Sequence, residues 1–163
     1  MVLELKQLFE IAGEVQTFKY ELDLSGYELF SLHPFCSPVH VTGRVFNTAG
    51  VVELDYSVQF SMKLPCDRCM DEFQSDYAFS FRNTLVAQNA ADRDEYIEVP
   101  DFRLDLDELA LSDILLHLPS KFLCSEDCQG LCPKCGANRN RTPCQCSEKE
   151  IDPRLAVLGE LLK

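Results

Sequence analysis

The sequence is short of positive charge and of long apolar runs. Its 15 Lys and Arg residues face 27 Asp and Glu residues, and the resulting formal net charge of −12 speaks against wholesale binding to nucleic acid. No stretch reaches the roughly eighteen apolar residues that a membrane span requires. The N-terminal region carries charges at Glu4, Lys6 and Glu10 and lacks the apolar core of a signal peptide. We therefore expect a cytoplasmic protein whose cysteines are reduced unless they bind metal.

Signatures of catalysis are missing from the sequence as well. It contains no Gly-rich phosphate loop, no Ser/His/Asp constellation and no nucleophile elbow. The three histidines are scattered and lack metal-ligand spacing. The acidic side chains of Asp105, Asp107 and Glu108 are better explained as the start of a helix than as a catalytic pair. The sequence therefore predicts a protein that is not an enzyme.

Alternating apolar and polar residues indicate β-strands in the first hundred residues. The alternation is unbroken over residues 52–64, which predicts a long strand with one buried face. Residues 39–45 predict its partner, and the turn residues 47–50 would join the two strands into a hairpin. Further strands are predicted at 15–24, 73–81 and 96–99. Together these segments predict an antiparallel, barrel-like sheet, which is twisted or partly closed.

The residues after Pro100 predict helical structure and a second region. The leucine-rich segment at about 105–118 predicts a helix that covers the sheet, begun by Asp105 and ended by Pro119. Asp152 and Pro153 are typical of the start of a last, short helix. We therefore predict an α+β fold with two parts. The first is a sheet domain at 1–119, and the second, at 120–163, is a cysteine-rich zinc module with the C-terminal helix.

Nine cysteines are the most informative residues of the chain. Six of them lie within the stretch 124–146, and a further Cys-x2-Cys pair is formed by Cys66 and Cys69. In a reducing compartment, thiolates at this spacing are metal ligands more often than disulfide partners. The odd number of cysteines also argues against a closed disulfide framework.

By spacing, eight cysteines form four pairs, enough for two tetrahedral zinc sites. One predicted site is local in sequence and would use Cys132, Cys135, Cys144 and Cys146. The other would join the sheet to the module through Cys66, Cys69, Cys124 and Cys128. In a competing arrangement, Cys124 or Cys128 joins the pair 132/135 and the remaining thiols are spare. One zinc ion, and with the second site two, is thus the predicted cofactor.

Two other interpretations of individual cysteines remain open. The pair Cys66 and Cys69 could be a redox dithiol, although such pairs usually begin a helix in a βαβ unit, and this pair follows an antiparallel strand. Cys36 is interpreted as a buried small apolar residue or an ordinary free thiol, without a role.

The segment 134–141 is the place where basic and amide side chains project from the predicted zinc turn. Lys134, Arg139 and Arg141 could contact the phosphates of RNA, since Lys and Arg supply most of the affinity in such contacts. The alternative is a solvated loop that spans two pairs of ligands.

Several of these motifs together resemble a known family. The motifs are Cys66-Asp-Arg-Cys69, the helix ending in Leu118-Pro119, the run Cys128-Gln-Gly-Leu-Cys-Pro-Lys-Cys-Gly136 with Asn138 and Asn140 before Cys144-Gln-Cys146, and Asp152-Pro-Arg-Leu155. They are similar to those of the bacterial YceD family of large ribosomal RNA subunit accumulation proteins. The resemblance covers most of the chain from about residue 40 and is most specific over 119–158.

What the resemblance implies is a small cytoplasmic factor without catalytic activity. It would support the accumulation of large-subunit ribosomal RNA and hence ribosome assembly. The expected partner is precursor RNA of the large subunit or a ribosomal protein, with no membrane and no small-molecule substrate. Lys134, Arg139 and Arg141 could contact RNA, and the acidic sheet domain could equally hold a basic ribosomal protein, so both kinds of partner remain open.

Overall fold

The computed structural model describes residues 1–87 and 96–146. Within these ranges the chain is mostly β, with two α-helices and a 3-10 helix at Pro100–Phe102. The elements in chain order are β1 (Val2–Glu4), α1 (Lys6–Glu10), β2 (Val15–Leu22), β3 (Val39–Thr48), β4 (Val51–Pro65), β5 (Glu72–Val86), β6 (Tyr96–Glu98), β7 (Arg103–Asp105) and α2 (Leu106–His117). The predicted C-terminal helix lies outside the described residues.

The main sheet has five strands in the order β2-β3-β4-β5-β6. The first four strands are antiparallel neighbours, and their register follows the predicted alternation: Tyr56 of β4 lies opposite Gly43 of β3 and Phe81 of β5. Strands β2 and β6 stand at opposite ends of the order and do not pair, so the barrel is not closed and the sheet is a curled half-barrel. The prediction of a purely antiparallel sheet is wrong at one edge, where β6 runs parallel to β5.

The hairpin of β3 and β4 confirms the predicted turn. Ala49 and Gly50 both have positive φ, at 53° and 93°, which is the pattern of a two-residue type I′ turn. The buried side chain of Asn47 accepts a hydrogen bond from the backbone N–H of Gly50 and donates one to the carbonyl of Leu8. The amide thus closes the hairpin and attaches α1 to the sheet.

Helix α2 covers the apolar face of the sheet, as predicted. Asp105 is its N-cap, and its carboxylate accepts hydrogen bonds from the backbone N–H groups of Asp107 and Glu108. Leu106, Ala110 and Ile114 are buried in the same apolar cluster as the inward-facing residues of β3 and β4. Asp113, next to Ile114, accepts a hydrogen bond from the hydroxyl of Tyr56, which joins α2 to β4.

The sequence did not predict the N-terminal layer of the fold. Strand β1 pairs with β7 as a separate two-stranded ribbon, and α1 places Leu8 in the core. Strand β1 has three residues and helix α1 has five, so neither is long enough to show a repeating pattern of apolar residues in the sequence.

None of the helices in the described ranges has the length and apolar character needed to span a membrane.

Candidate metal centres

Two groups of four cysteine sulfurs form in the described part of the chain. Within each group, all sulfurs lie within 4.8 Å of one another. The first group contains Cys66, Cys69, Cys124 and Cys128, and the second contains Cys132, Cys135, Cys144 and Cys146. These are the two sets that the spacing argument proposed, and the competing arrangement, with Cys124 or Cys128 in the second group, is not what the structure shows.

The first group has the dimensions of a tetrahedral thiolate site. The sulfurs of Cys66 and Cys128 are 3.8 Å apart, and those of Cys69 and Cys124 are 3.7 Å apart. A zinc ion with Zn–S bonds of about 2.3 Å holds its sulfurs about 3.8 Å apart in a tetrahedron. Three of the four cysteines are buried, and Cys124 is exposed. The residues present therefore fit a zinc ion in size and in donor chemistry.

The two Cys-x2-Cys turns have the same backbone geometry. In the first turn, the N–H of Met70 donates to the carbonyl of Cys66, and the N–H of Cys66 donates to the carbonyl of Asp71. In the second, Gly136 donates to Cys132, and Cys132 donates to Ala137 in the same way. The residue after the second cysteine has positive φ in both turns, 62° at Met70 and 72° at Gly136. Glycine adopts a positive φ readily, whereas a methionine gives no signal of it in the sequence.

The thiol of Cys66, in the first group, has a lowered pKa. Burial alone would raise the pKa of Cys66, but hydrogen bonds from the backbone N–H groups of Cys124, Cys69 and Arg68 bring this pKa down to about 6. A hydrogen bond with the sulfur of Cys128, followed by burial, raises the pKa of Cys124 to about 12. In the metal-free protein, a thiolate and a protonated thiol therefore share this group of sulfurs.

The second group repeats this arrangement. Hydrogen bonds from the backbone N–H groups of Cys135 and Lys134 lower the pKa of Cys132 to about 6. A hydrogen bond with the sulfur of Cys135, followed by burial, raises the pKa of Cys146 to about 12. Backbone amides directed at the sulfurs are the usual companions of thiolate ligands, because they stabilise the deprotonated form that binds metal.

Hydrogen bonds connect the second group to the first. The side-chain amide of Asn140 donates to the sulfur of Cys128 at 3.2 Å and accepts from the backbone N–H of Gln129 at 2.7 Å. Asn138 donates to the carboxylate of Asp71 at 2.8 Å, directly after the first turn. The N–H of Leu131 donates to the carbonyl of Arg68 at 2.9 Å. The loop of the second group thus packs on the turn of the first.

The three basic residues predicted to contact RNA have roles inside this module. Arg141 forms an ion pair of 3.0 Å with Asp71. A hydrogen bond to the sulfur of Cys144 raises the pKa of Arg139, so this guanidinium lies against the second group of cysteines. The backbone N–H of Lys134 hydrogen-bonds to the sulfur of Cys132. The structure therefore places the three residues around the cysteines, and RNA contact by them stays a prediction.

The remaining cysteine, Cys36, lies apart from both groups. It is exposed rather than buried, and its thiol donates to the carbonyl of Ser61 at 3.3 Å.

The division of the chain into two parts at residue 119 stays a prediction. Phe122, beyond this boundary, belongs to the main apolar core, and the first cysteine group contains residues from both sides of it.

Proteins of similar sequence are found in bacteria and plants. The uncharacterized protein YlbN of Bacillus subtilis (strain 168) is 28% identical over 154 residues, which cover 91% of this chain and 90% of the relative. The uncharacterized protein Rv2926c of Mycobacterium tuberculosis is 31% identical over 102 residues, or 60% of this chain and 49% of the relative. No solved structure matches the chain significantly.

A plant relative has a descriptive name. It is the chloroplastic "Large ribosomal RNA subunit accumulation protein YCED homolog 1" of Arabidopsis thaliana, 25% identical over 161 residues. The aligned part covers 79% of this chain and 50% of the relative. The family model described as "Large ribosomal RNA subunit accumulation protein YceD" matches residues 54–162, a range that includes both cysteine groups. The chain therefore belongs to the YceD family.

Proposed function

We propose that the protein is a non-catalytic, cytoplasmic factor that supports the accumulation of large-subunit ribosomal RNA and carries two structural zinc ions. The observation that carries this proposal is the family match over residues 54–162. The same range contains the eight cysteines of the two groups. The role in RNA accumulation comes from the family, and the two metal sites come from the geometry of the sulfurs.

The position of the first cysteine group supports a structural role for its metal. Two ligands come from the turn between β4 and β5, and the other two, Cys124 and Cys128, lie seven and eleven residues after the end of helix α2. A metal there would crosslink the sheet to the cysteine module, whose described residues contain no helix or strand of their own. Four protein sulfurs complete a tetrahedral shell and leave no open position, as in structural rather than catalytic zinc sites.

The direct partner in this proposal is precursor RNA of the large subunit or a ribosomal protein. Cell extract separated on a density gradient tests the association. The protein should travel with large-subunit precursors at low salt, and its deletion should lower the ratio of large-subunit to small-subunit ribosomal RNA. A protein found only in the fractions of free protein, with an unchanged ratio in the deletion strain, would refute the role.

The metal content has a separate test. Purified protein should contain two equivalents of zinc per chain by elemental analysis. Tetrahedral sulfur sites also accept iron, so iron is measured in the same sample. A metal-free protein that has the same thermal stability before and after treatment with a chelator would contradict the structural sites.

A thiol redox or metal-handling function is the second candidate, and the low pKa of Cys66 is the observation in its favour. The two functions differ in reactivity. Thiolates bound to structural zinc react slowly with thiol reagents under native conditions, whereas a redox dithiol at Cys66 and Cys69 would react rapidly and form a disulfide. Counting the modified cysteines by mass spectrometry before and after chelation separates the two.

A further inference from the structure

A depression of about 940 Å³ lies on the main sheet, where exposed polar side chains alternate with residues of the apolar core. It extends from β2 across β3 and β4 to β5 over three consecutive rows of the sheet register. The two outer rows carry the charged and hydroxyl side chains, and the row between them consists of Phe18, Gly43, Tyr56 and Phe81. Lys19, Arg44 and Arg82 line it together with a single carboxylate, Asp55. Four serine and threonine side chains line the same depression. It therefore carries a local charge of +2 on a chain whose net charge is −12.

Asp55 holds the two arginines over the depression. Arg82 donates to both carboxylate oxygens, from Nε at 2.7 Å and from Nη2 at 3.3 Å, and Arg44 donates from Nη2 at 3.3 Å. The side chain of Asp55 is 20% exposed, whereas those of Arg44 and Arg82 are 55% and 70% exposed. A guanidinium has five N–H donors, so both arginines keep donors for a ligand while the carboxylate fixes their orientation.

Acidic residues limit the positive area on two sides. Glu53 lies two residues before Asp55 on β4, opposite Phe46, and Glu21 lies two residues after Lys19 on β2, where it pairs with His40. Along the rows, the area extends across four strands, which corresponds to about 14 Å at the usual spacing between strands. The shape is a short positive strip rather than a broad basic face.

We propose that this strip binds the sugar-phosphate backbone of single-stranded RNA over two or three phosphates. The inference rests on the proposed function, and it assigns the RNA contact to the sheet rather than to the loop of Lys134, Arg139 and Arg141. Guanidinium and phosphate match in charge and in bidentate geometry, and hydroxyl side chains are common partners of phosphate and sugar oxygens. A duplex is a poorer fit, since its second row of phosphates would approach Glu21 or Glu53.

Two double variants with the same loss of charge test the strip. The first is Lys19→Gln/Arg44→Gln, which leaves Arg82 on Asp55. The control is Lys63→Gln/Arg103→Gln, which removes two exposed cations that are paired with Glu72 and Glu4 outside the strip. Both variants lower the net charge by two. The probe is a fluorescent single-stranded RNA of twelve uridines, measured by anisotropy from 50 to 200 mM salt.

We expect the first variant to bind the RNA about five- to twenty-fold more weakly than the wild type at 100 mM salt, with a salt dependence shallower by about 1.4 in log–log slope. The control should bind as the wild type does. Thermal denaturation verifies that both variants are folded. Equal affinity of the two variants, or no binding of RNA by the wild type, would overturn the proposal.

Sedimentation with large-subunit precursors separates this inference from the function on which it rests. If the wild type sediments with precursors and the strip variant does so equally well, the strip is not the contact and the proposed function stands. If the strip variant loses an association that survives ribonuclease treatment, the strip binds a protein and the RNA proposal is wrong. If the wild type does not associate with precursors, the proposed function fails.

Discussion

The side-chain amide of Asn140 donates a hydrogen bond to the sulfur of Cys128 across 3.2 Å. Asn140 belongs to the loop between the two cysteine pairs of the second group, whereas Cys128 is a member of the first. A donor to a ligand sulfur stabilises the thiolate and orients it, and loss of such outer contacts commonly weakens metal binding by about 10- to 100-fold. The folded loop of one site thereby supports the ligand set of the other.

We predict that Asn140→Ala accelerates loss of one of the two proposed zinc ions by about ten-fold and leaves the loss of the other unchanged. The measurement is zinc release to a chromogenic chelator. The wild type should release both ions at similar rates, whereas the variant should show a fast and a slow phase. Asn140→Asp keeps the size of the side chain, but it removes the donor and adds a negative charge beside the thiolate, so its release should be at least as fast. Release curves identical to those of the wild type for both variants would show that the hydrogen bond has no influence on the metal.

Loss of one ligand in each group should affect the fold unequally. Cys66→Ser and Cys132→Ser should each reduce the zinc content from two equivalents to about one. Cys66→Ser should lower the melting temperature more, because the first group joins the β4–β5 turn to the segment after α2, and the second closes a loop that is local in sequence. Elemental analysis and thermal denaturation of both variants provide the comparison. A larger loss of stability in Cys132→Ser would contradict it.

The positive φ of Met70 predicts a stabilising substitution. A non-glycine residue in the left-handed region costs about 1 kcal/mol, and the side chain of Met70 is 62% exposed, so little packing is lost on its removal. Met70→Gly should therefore leave the free energy of unfolding unchanged or raise it by up to about 1 kcal/mol. The reciprocal variant Gly136→Ala meets no neighbouring atom but takes on the strained φ, and should lower it by about 1 kcal/mol. Denaturant titrations of both variants measure the difference, and a destabilised Met70→Gly would contradict the argument.

The close contact of β3 with its neighbours makes Gly43 hard to replace. A Cβ atom at this position would lie 2.4 Å from Cβ of Tyr56, 2.5 Å from the carbonyl oxygen of Asp55 and 2.8 Å from Cζ of Phe18. Backbone must therefore move, and Gly43→Ala should lower the free energy of unfolding by about 1–3 kcal/mol. The matched control is Gly26→Ala, whose Cβ meets nothing within 4 Å. Equal stability of the two variants in urea titrations would show that the strands can separate at no cost.

Asp55 predicts a dependence of stability on acid pH. Its hydrogen bond with Arg82 lowers the pKa of the carboxyl below the usual 3.8. A carboxyl whose pKa is lowered by folding stabilises the protein above pH 3.8, and this contribution is lost as the pH falls through the lower value in the folded state. The contribution should be below about 1 kcal/mol, as for other surface ion pairs. Asp55→Asn should reduce stability at pH 6 but not at pH 2, as measured by urea titration, and an equal loss at both values would exclude an ionic cause.

Local patterns predicted the strands of the sheet and the helix that covers it. The alternation over residues 52–64 matches β4, and the residues around Asn47 and Gly50 correctly predicted the hairpin turn. Asp105 was identified as the start of α2 and is its N-cap. These features depend on residues that are near one another in the chain, where side-chain period and backbone preference act directly. The parallel pairing of β6 was not predicted, because three residues carry no information about strand direction.

The sequence by itself determined that eight cysteines could serve two metal sites, since the spacing within each pair decides which sulfurs can face one ion. Only the tertiary structure decided that Cys66 and Cys69 meet Cys124 and Cys128, because the fold must bring the β4–β5 turn to a segment more than fifty residues away. It also turned Arg139 and Arg141 toward the cysteine module and gathered Lys19, Arg44 and Arg82 from three strands into one strip. Contacts of this kind depend on strand register and on packing in three dimensions, neither of which is encoded in the spacing of residues along the chain.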